Sequence, residues 1–298
     1  MASRRVFLTF LVLDGGLAGT IYALVALAFV VVYKASRVVN FALGEWLGVG
    51  SRLVACGVNT FGLGLGGALG VASAGMVAFA LAFNRAVVRR LSTQPLISSI
   101  MMTLGLGIVM RGAAAIAFAG VPADVSLPLP RELLSVGGVP LAGEKVVAAL
   151  VAAACIGALT WFFRASRTGL ALRAIASDRQ TAAAVGIDVD RHHAIAWGLV
   201  AVLSVVAGTL WAVVAGPGFS VVVLGLRVFP IVIVGGLDSL HGTIVGALGI
   251  GIVESLSAGY LDPVLGAGFS QLTPYVVLLV VLLVRPQGLF GTPPVERI

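Results

Sequence analysis

Apolar runs of about 20 residues, the length that crosses a bilayer as a helix, recur along the whole of this chain. They fall at about 7–33, 41–58, 62–83, 96–118, 146–163, 194–214, 227–258 and 272–284. Only 10% of the residues are charged and the mean hydropathy is +1.11, whereas about a quarter of a soluble domain carries charge. The pattern predicts an all-α fold, a polytopic membrane helical bundle of about eight transmembrane segments. A transmembrane β-barrel would alternate apolar and polar residues in short segments, and no such alternation is present. The seventh run is too long for one crossing and is interrupted by GGLDSLHG at 235–242. It reads as two shorter helices or a re-entrant pair, joined by backbone that protein must bury or a wet cavity must accept.

The formal charge of +7 and the pI near 10.2 are topological in such a chain, because Lys and Arg collect in cytoplasmic loops. They do not point to nucleic acid. Arg85, Arg89 and Arg90 and the cluster from Arg164 to Arg191 mark the inner side, and the Pro-rich 119–145 segment suits the outer one. Counting back puts the N-terminus outside. The side of the C-terminus depends on whether the seventh run crosses once or twice, with Arg285 and Arg297 favouring the inside. The opening MASRRVFLTFLVLDGG has a signal peptide's basic start, but Asp14 interrupts it and apolar sequence resumes through Val32. An uncleaved first span is expected. Cys56 and Cys155 lie in apolar surroundings without metal-ligand spacing and read as buried small hydrophobes. Of the intramembrane glycines, most read as helix-packing sites, including 62–70 and the Gly242–Gly246 GxxxG pair.

Residues 164–193, RASRTGLALRAIASDRQTAAAVGIDVDRHH, break the apolar pattern with five arginines and three aspartates. Asp178 is placed to cap a short helix from Arg179 to Val185, because its carboxylate can accept from free N–H groups two or three residues on. Gly186 offers the left-handed stop that ends many helices. Two readings stand. Such a helix can fill a groove on another protein while arginines contact the rim, or it can merely tidy a long loop. No GxxxxGK[ST] occurs anywhere, so ATP hydrolysis by a P-loop is not expected of this chain.

The same stretch resembles the ATPase-coupling loop of LivH-type permeases of branched-chain amino-acid ABC importers. The likeness extends over nearly the whole chain. LDGGLAGTIYALVALAFVVVYKASRVVNFALGEWLGVGS at 13–51 is similar to that family's N-terminal signature, GLRVFPIVIVGGLDSLHGTIVGALGIGIVES at 225–255 to its late Gly-rich block, and RPQGLFG at 285–291 to its C-terminal tail. The resemblance implies one transmembrane permease domain over 1–298, in a bacterial inner membrane, with the coupling loop at 164–193. It implies a second homologous permease subunit, two ABC ATPase subunits and a periplasmic substrate-binding protein as partners. No cofactor is then expected in this chain, since ATP and Mg would sit on the ATPases. It makes Ser177, Asp178, Arg179, Gln180, Thr181, Ala182, Ala183, Ala184, Val185 and Gly186 the coupling helix. The family's NFAHGE reads NFALGE here, with Leu43 for the histidine. Its GLKAF reads GLRVF, with Arg227 for the lysine, and its GSIPG reads DSLHG at 238–242. The expected cargo is a branched-chain or other amphipathic amino acid, with urea, short amides or aromatic acids as the alternatives.

Charges in hydrocarbon are costly and invite a functional reading. Asn40 and Glu45 follow the basic turn Lys34–Arg37. They are read either as the cap and first-turn acid of a helix or as pathway or gate residues. Glu45 and Arg52 are seven apart, near enough in helical phase to pair; the alternative is that Arg52 snorkels to an interface. Asp238 and His241 lie in the break of the seventh run, where unwound backbone meets polar ligands in many transporters; at a water interface they would be plain loop residues. His192 and His193 read as a solvated loop, and Arg111 and Glu254 are expected to meet each other, a neighbouring subunit or the interface. No metal-ligand set is visible, and Ser98–Ser99 lack a positioned His and Asp. A stand-alone channel or ion-coupled carrier is the rival reading, and an intramembrane enzyme a remote one.

Overall fold

The computed structural model describes residues 2–91, 94–125, 133–136, 139–266 and 268–291. Arg297 and part of the expected outer loop lie outside the described residues. In chain order the elements are α1 (Ala2–Ser36), α2 (Leu43–Asn59), α3 (Leu65–Phe83), a π-helical turn (Asn84–Val88), α4 (Arg89–Leu91) and α5 (Leu96–Ala117). A hairpin of β1 (Leu133–Val136) and β2 (Val139–Ala142) follows, then α6 (Gly143–Ala165), α7 (Arg167–Ser177) and α8 (Arg179–Ala184). The chain ends with α9 (Val189–Ala215), α10 (Phe219–Gly235), α11 (Leu240–Tyr260), α12 (Asp262–Leu265) and α13 (Phe269–Val284).

Among the described residues six helices are long and apolar enough to cross a membrane: Arg4–Ser36, Leu65–Val88, Ile97–Ala117, Gly143–Ala165, Val189–Ala215 and Leu240–Tyr260. Ser220–Gly235 and Phe269–Val284 are shorter apolar helices. The fold is therefore the expected all-α, multi-pass membrane architecture, and the long seventh run is indeed two helices, parted at Gly236–Ser239. Its first half starts earlier than expected, at Phe219, directly after the glycine turn at 216–218, and it runs through Pro230. The expected second span is a 17-residue helix, since residues 37–42 are non-helical. The β-hairpin was not anticipated. It pairs Leu133 with Ala142 and Val136 with Val139, a ladder too short for its period-2 pattern to stand out.

The chain divides into two compact units, one of Met1–Val30, Pro128–Ala154 and Arg227–Ile298, the other of Val31–Leu127 and Cys155–Leu226. In the first, α1 and α11 cross at small residues. A Cβ on Gly15 would lie 2.6 Å from the Gly251 carbonyl, and one on Gly19 would lie 2.9 Å from that of Ala247. Backbones this close maximise van der Waals contact, which is what holds helices together in lipid. Asp14, the acid interrupting the first apolar run, meets Lys145 at 2.5 Å. The GxxxG pair Gly242 and Gly246 packs against Gly235 across the α10–α11 break. There Ser239 caps α11 by accepting from the Gly242 N–H at 3.0 Å, and the C-terminal tail returns so that the Leu289 N–H donates to the Val234 carbonyl at 2.8 Å. Beyond α11, Asp262 accepts from the Ser270 backbone N–H and hydroxyl, and that backbone bond holds its carboxyl below the usual range.

In the second unit, α2, α3 and α9 pack around two fully buried indoles, Trp46 and Trp197, with ring centroids 5.6 Å apart. Phe79 lies 5.4 Å from Trp46 and Phe83 lies 5.4 Å from Trp197, edge contacts worth about 0.5–1.5 kcal/mol each beyond burial. Along the same pair, α2 and α9 touch backbone to backbone, Gly50 against Val205 and Gly208 against Leu47. The glycines of 62–70 differ from the packing expectation. A Cβ on Gly64, Gly66 or Gly70 would meet nothing within 4 Å. Cys56 and Cys155 are free and half-buried.

Gly251→Leu places its Cβ on the α1 backbone, whereas Gly249 has open space. Overpacking of this kind costs about 1–3 kcal/mol. Detergent-solubilised Gly251→Leu should melt several degrees lower and lose monodisperse yield, while Gly249→Leu tracks the parent; equal melting of the two variants would refute the crossing.

Candidate functional site

The polar stretch folds into two short helices that its sequence punctuates. Ser166 caps α7, its Oγ accepting from the Gly169 N–H at 2.8 Å. Gly169 lets α7 turn tightly onto the end of α6, where a Cβ would sit 2.6 Å from the Phe163 Cα. α7 ends at Ser177, so that residue belongs to the helix before the expected coupling element. Asp178 is extended and caps α8: Oδ1 accepts from the N–H groups of Gln180 at 2.8 Å and Thr181 at 3.2 Å. Its Oδ2 takes the Thr181 hydroxyl at 2.7 Å. At the other end Gly186 has φ +87°. Its N–H donates to the Ala183 carbonyl and that of Ile187 to the Ala182 carbonyl, the paired bonds of a Schellman stop. Of α8 only Ala182 is buried. Arg179, Gln180, Thr181, Ala183 and Ala184 are exposed, and beyond them Val185 is 73% exposed.

This element is tied to the chain ahead of α2. Arg37 adopts φ +56°, a left-handed conformation that costs a non-glycine residue about 1–2 kcal/mol. Its guanidinium donates to the Ala176 carbonyl at 2.8 Å and lies over the Tyr33 ring. Arg89 reaches Asp190 at 3.6 Å on the far side of the stretch. His192 and His193 are not in a loop, because α9 begins at Val189. His193 is buried and hydrogen-bonds the Ala35 backbone.

Beyond Arg37 the chain runs without helical bonds to Ala42. Asn40 is buried, and its side-chain oxygen accepts from the Ala42 N–H at 3.1 Å. It is thus a turn residue two positions before the N-cap, Ala42, and not the cap itself. Thr103 of α5 holds the same segment, donating to the Val39 carbonyl at 3.1 Å and accepting from the Phe41 N–H at 3.3 Å.

Glu45 sits in the first turn of α2, buried, and its Oε1 takes both Nε of Arg111, at 2.6 Å, and Nη2. The expected Glu45–Arg52 pair does not form. Arg52 donates to the Phe118 carbonyl at 2.9 Å and lies over that ring. Thr103 to residue 41, Arg111 to Glu45, Phe118 to Arg52 and Pro122 to Asn59 run in one order, so α2 and α5 are parallel. Arg111 lies about 22 Å along α5 from Leu96 and about 9 Å short of Ala117 at 1.5 Å per residue, within the apolar helix. A cleft of about 150 Å³ opens at this ion pair, between Leu104, Ile108, Val222 and Leu226.

In the other unit Glu254 of α11 meets Arg227 of α10 at 2.8 Å, and Arg227 also reaches the Tyr22 hydroxyl at 3.4 Å. Neither Arg111 nor Glu254 therefore depends on the other. Asp238 is half-buried in the α10–α11 break and His241 is exposed in the first turn of α11. Among the described residues no three His, Cys, Asp or Glu side chains gather as a metal site. The pairing of Glu45 with Arg111, the Arg37 tie and the Thr103 clasp carry no local signal, since the partners stand 66, 139 and 62 positions apart. The one hint was an unmatched acid and an unmatched base, each inside an apolar run.

The family described as branched-chain amino acid transport system / permease component matches residues 11–284. The high-affinity branched-chain amino acid transport system permease protein LivH of Escherichia coli K12 is 30% identical, over 98% of this chain and 99% of that one. The permease protein BraD of Pseudomonas aeruginosa, of the same kind of system, is 26% identical over 96% of each. A probable LivH of Methanocaldococcus jannaschii is 27% identical over 94% and 92%. PsaBC from Streptococcus pneumoniae, solved in complex with Fab, superposes loosely, with a TM-score of 0.49 at 18% identity over 93% of this chain and 92% of that one. With its break, tail and capped polar helices in place and a match over nearly its full length, the chain belongs to the branched-chain amino acid transport permease family.

Proposed function

We propose that this chain is the membrane-embedded permease subunit of an ATP-driven importer, working by alternating access in a bacterial inner membrane. It would pair with a second, homologous permease. Two ATPase subunits would dock on its inner face and a periplasmic binding protein would deliver the solute. The cargo is a branched-chain amino acid, which family membership and the relatives' names support. The ATP and Mg belong to the partner chains.

The observation that carries this reading is α8, exposed, capped at both ends and joined through Arg37 to the segment that launches α2. A docking helix must be rigid to transmit a push, and its own backbone must not absorb it. The Asp178 cap and the Gly186 stop satisfy the helix ends that would otherwise fray. The Arg37 bond is charge-assisted, a class worth about 1.5–3 kcal/mol. It connects the end of α7 to a non-helical segment, which can move without breaking a ladder of helical bonds. A push on α8 would thus reach residues 37–42 and, through Thr103 and Glu45, the α2–α5 pair.

Gly186→Val forces a β-branched residue to φ +87° and should loosen the end of α8. In the reconstituted importer we expect ATP hydrolysis to continue while uptake falls severalfold. Uptake at the parent rate would mean that this loop is passive. Arg37→Ala leaves α8 intact but cuts its tie, and uptake per ATP hydrolysed should fall on the order of tenfold. If uptake and hydrolysis drop together, Arg37 serves assembly and not coupling.

A further inference from the structure

The cleft beside Glu45 has an unusual make-up for a membrane helix pair. One side is a buried carboxylate, 8% exposed in its side chain, bound to a guanidinium that is 59% exposed. The other walls are aliphatic: Leu104 and Ile108 of α5, Val222 and Leu226 of α10. Its floor is backbone. Gly44 and Gly225, both lining the cleft, touch so closely that a Cβ on Gly225 would lie 2.5 Å from the Gly44 N. The volume is about 150 Å³, and an apolar cavity of roughly that size accepts a benzene ring. A branched four-carbon side chain is no larger.

We infer that this cleft is a transit site for a zwitterionic, aliphatic α-amino acid. Arg111 would take the carboxylate, Glu45 the ammonium, and the aliphatic wall the side chain. This deepens the importer reading and rests on it. An ion pair whose acid is buried and whose base is open is asymmetric in the way this role needs. The carboxylate of an arriving ligand can engage the exposed guanidinium fork, which suits bidentate carboxylate binding, and its ammonium then replaces Arg111 at Glu45. No net charge enters the apolar surroundings at any stage, because ligand and protein exchange like pairs. A solute with only a carboxylate or only an ammonium would leave one buried group without its counterion, which binding sites reject strongly. A purely structural pair needs neither an exposed guanidinium inside an apolar helix, where charge is costly, nor an aliphatic cleft alongside.

The test uses the complete importer, this chain with its partner permease, ATPases and binding protein, reconstituted in lipid and driven by ATP. The probe is a leucine analogue carrying a photoreactive diazirine in its side chain. We expect it to label peptides containing residues 104–111 or 222–226. Excess leucine should block labelling, whereas the deaminated acid and the decarboxylated amine should not. Glu45→Gln should lower labelling and leucine uptake by about tenfold or more, the order expected when a buried charge loses its counterpart. A second variant, Ile108→Trp, keeps both charged residues and fills the cleft from its aliphatic wall. It should leave the complex intact and ATP hydrolysis present while abolishing labelling. Normal leucine uptake with labelling elsewhere, or normal labelling in Ile108→Trp, overturns the site and leaves the importer reading standing. ATP hydrolysis without uptake of any amino acid overturns the amino-acid cargo, and this site with it.

Discussion

Helices in lipid gain little by hiding apolar surface from one another, because the surrounding chains are as apolar as leucine. What holds them is close contact, and close contact needs small residues where backbones meet. Each unit of this chain has such a place: Gly15 and Gly19 against Ala247 and Gly251 in one, Gly50 and Gly208 against Val205 and Leu47 in the other. The buried tryptophans of the second unit take their position from the latter contact. Trp46 and Trp197 lie on the two helices that Gly50 and Gly208 bring together, so the indoles meet at 5.6 Å. Glycine lowers helix propensity in water, but in lipid an unfolded backbone has no alternative partner for its hydrogen bonds. The closeness therefore comes at little conformational loss.

The same absence of water governs the charges. Asp14, Glu45 and Glu254 are acids inside apolar segments, and each is met by a base from another helix or the start of one: Lys145, Arg111 and Arg227. These are stitches between elements distant in sequence, and breaking one leaves a charge whose solvation cannot be restored. They also differ in setting. Lys145 and Arg227 are mostly covered, whereas Arg111 is largely open. Only that last pair combines a satisfied acid with a base that another molecule can reach.

What was legible in the sequence follows from which interactions are local. The apolar runs, the break at 236–239 and the caps of α8 are local. Asp178 and Gly186 act on groups within a few positions of themselves, so their chemistry is written beside them. The Gly242–Gly246 spacing was legible as a packing signal for the same reason. Glu45 was visible as an intramembrane acid, but its base was not. Arg52 stands at the right helical phase, yet a helix of parallel register beside α2 brings Arg111 in closer, and nothing local to Glu45 encodes that register. The open glycines of 62–70 misled for the converse reason: composition marks a residue as small without saying that anything approaches it. The hairpin before α6 was missed because two four-residue strands carry too little period to read.

Residues 37–42 join the polar helices to the start of α2. A continuous helix from α1 into α2 would have satisfied every backbone group along the way. Instead the chain takes a left-handed residue at Arg37 and a turn at Asn40, and Thr103 supplies bonds that the helix would have supplied. These bonds hold the irregular backbone in place, and strain of this kind collects where a structure must move. Here it lies between an exposed, rigid helix at one end and a half-open ion pair at the other. A stiff element pushing on a compliant one will deform the compliant one first. The displacement of α8 would then be spent on re-aiming the start of α2, where Glu45 sits in the first turn, and not on bending the long helices behind it.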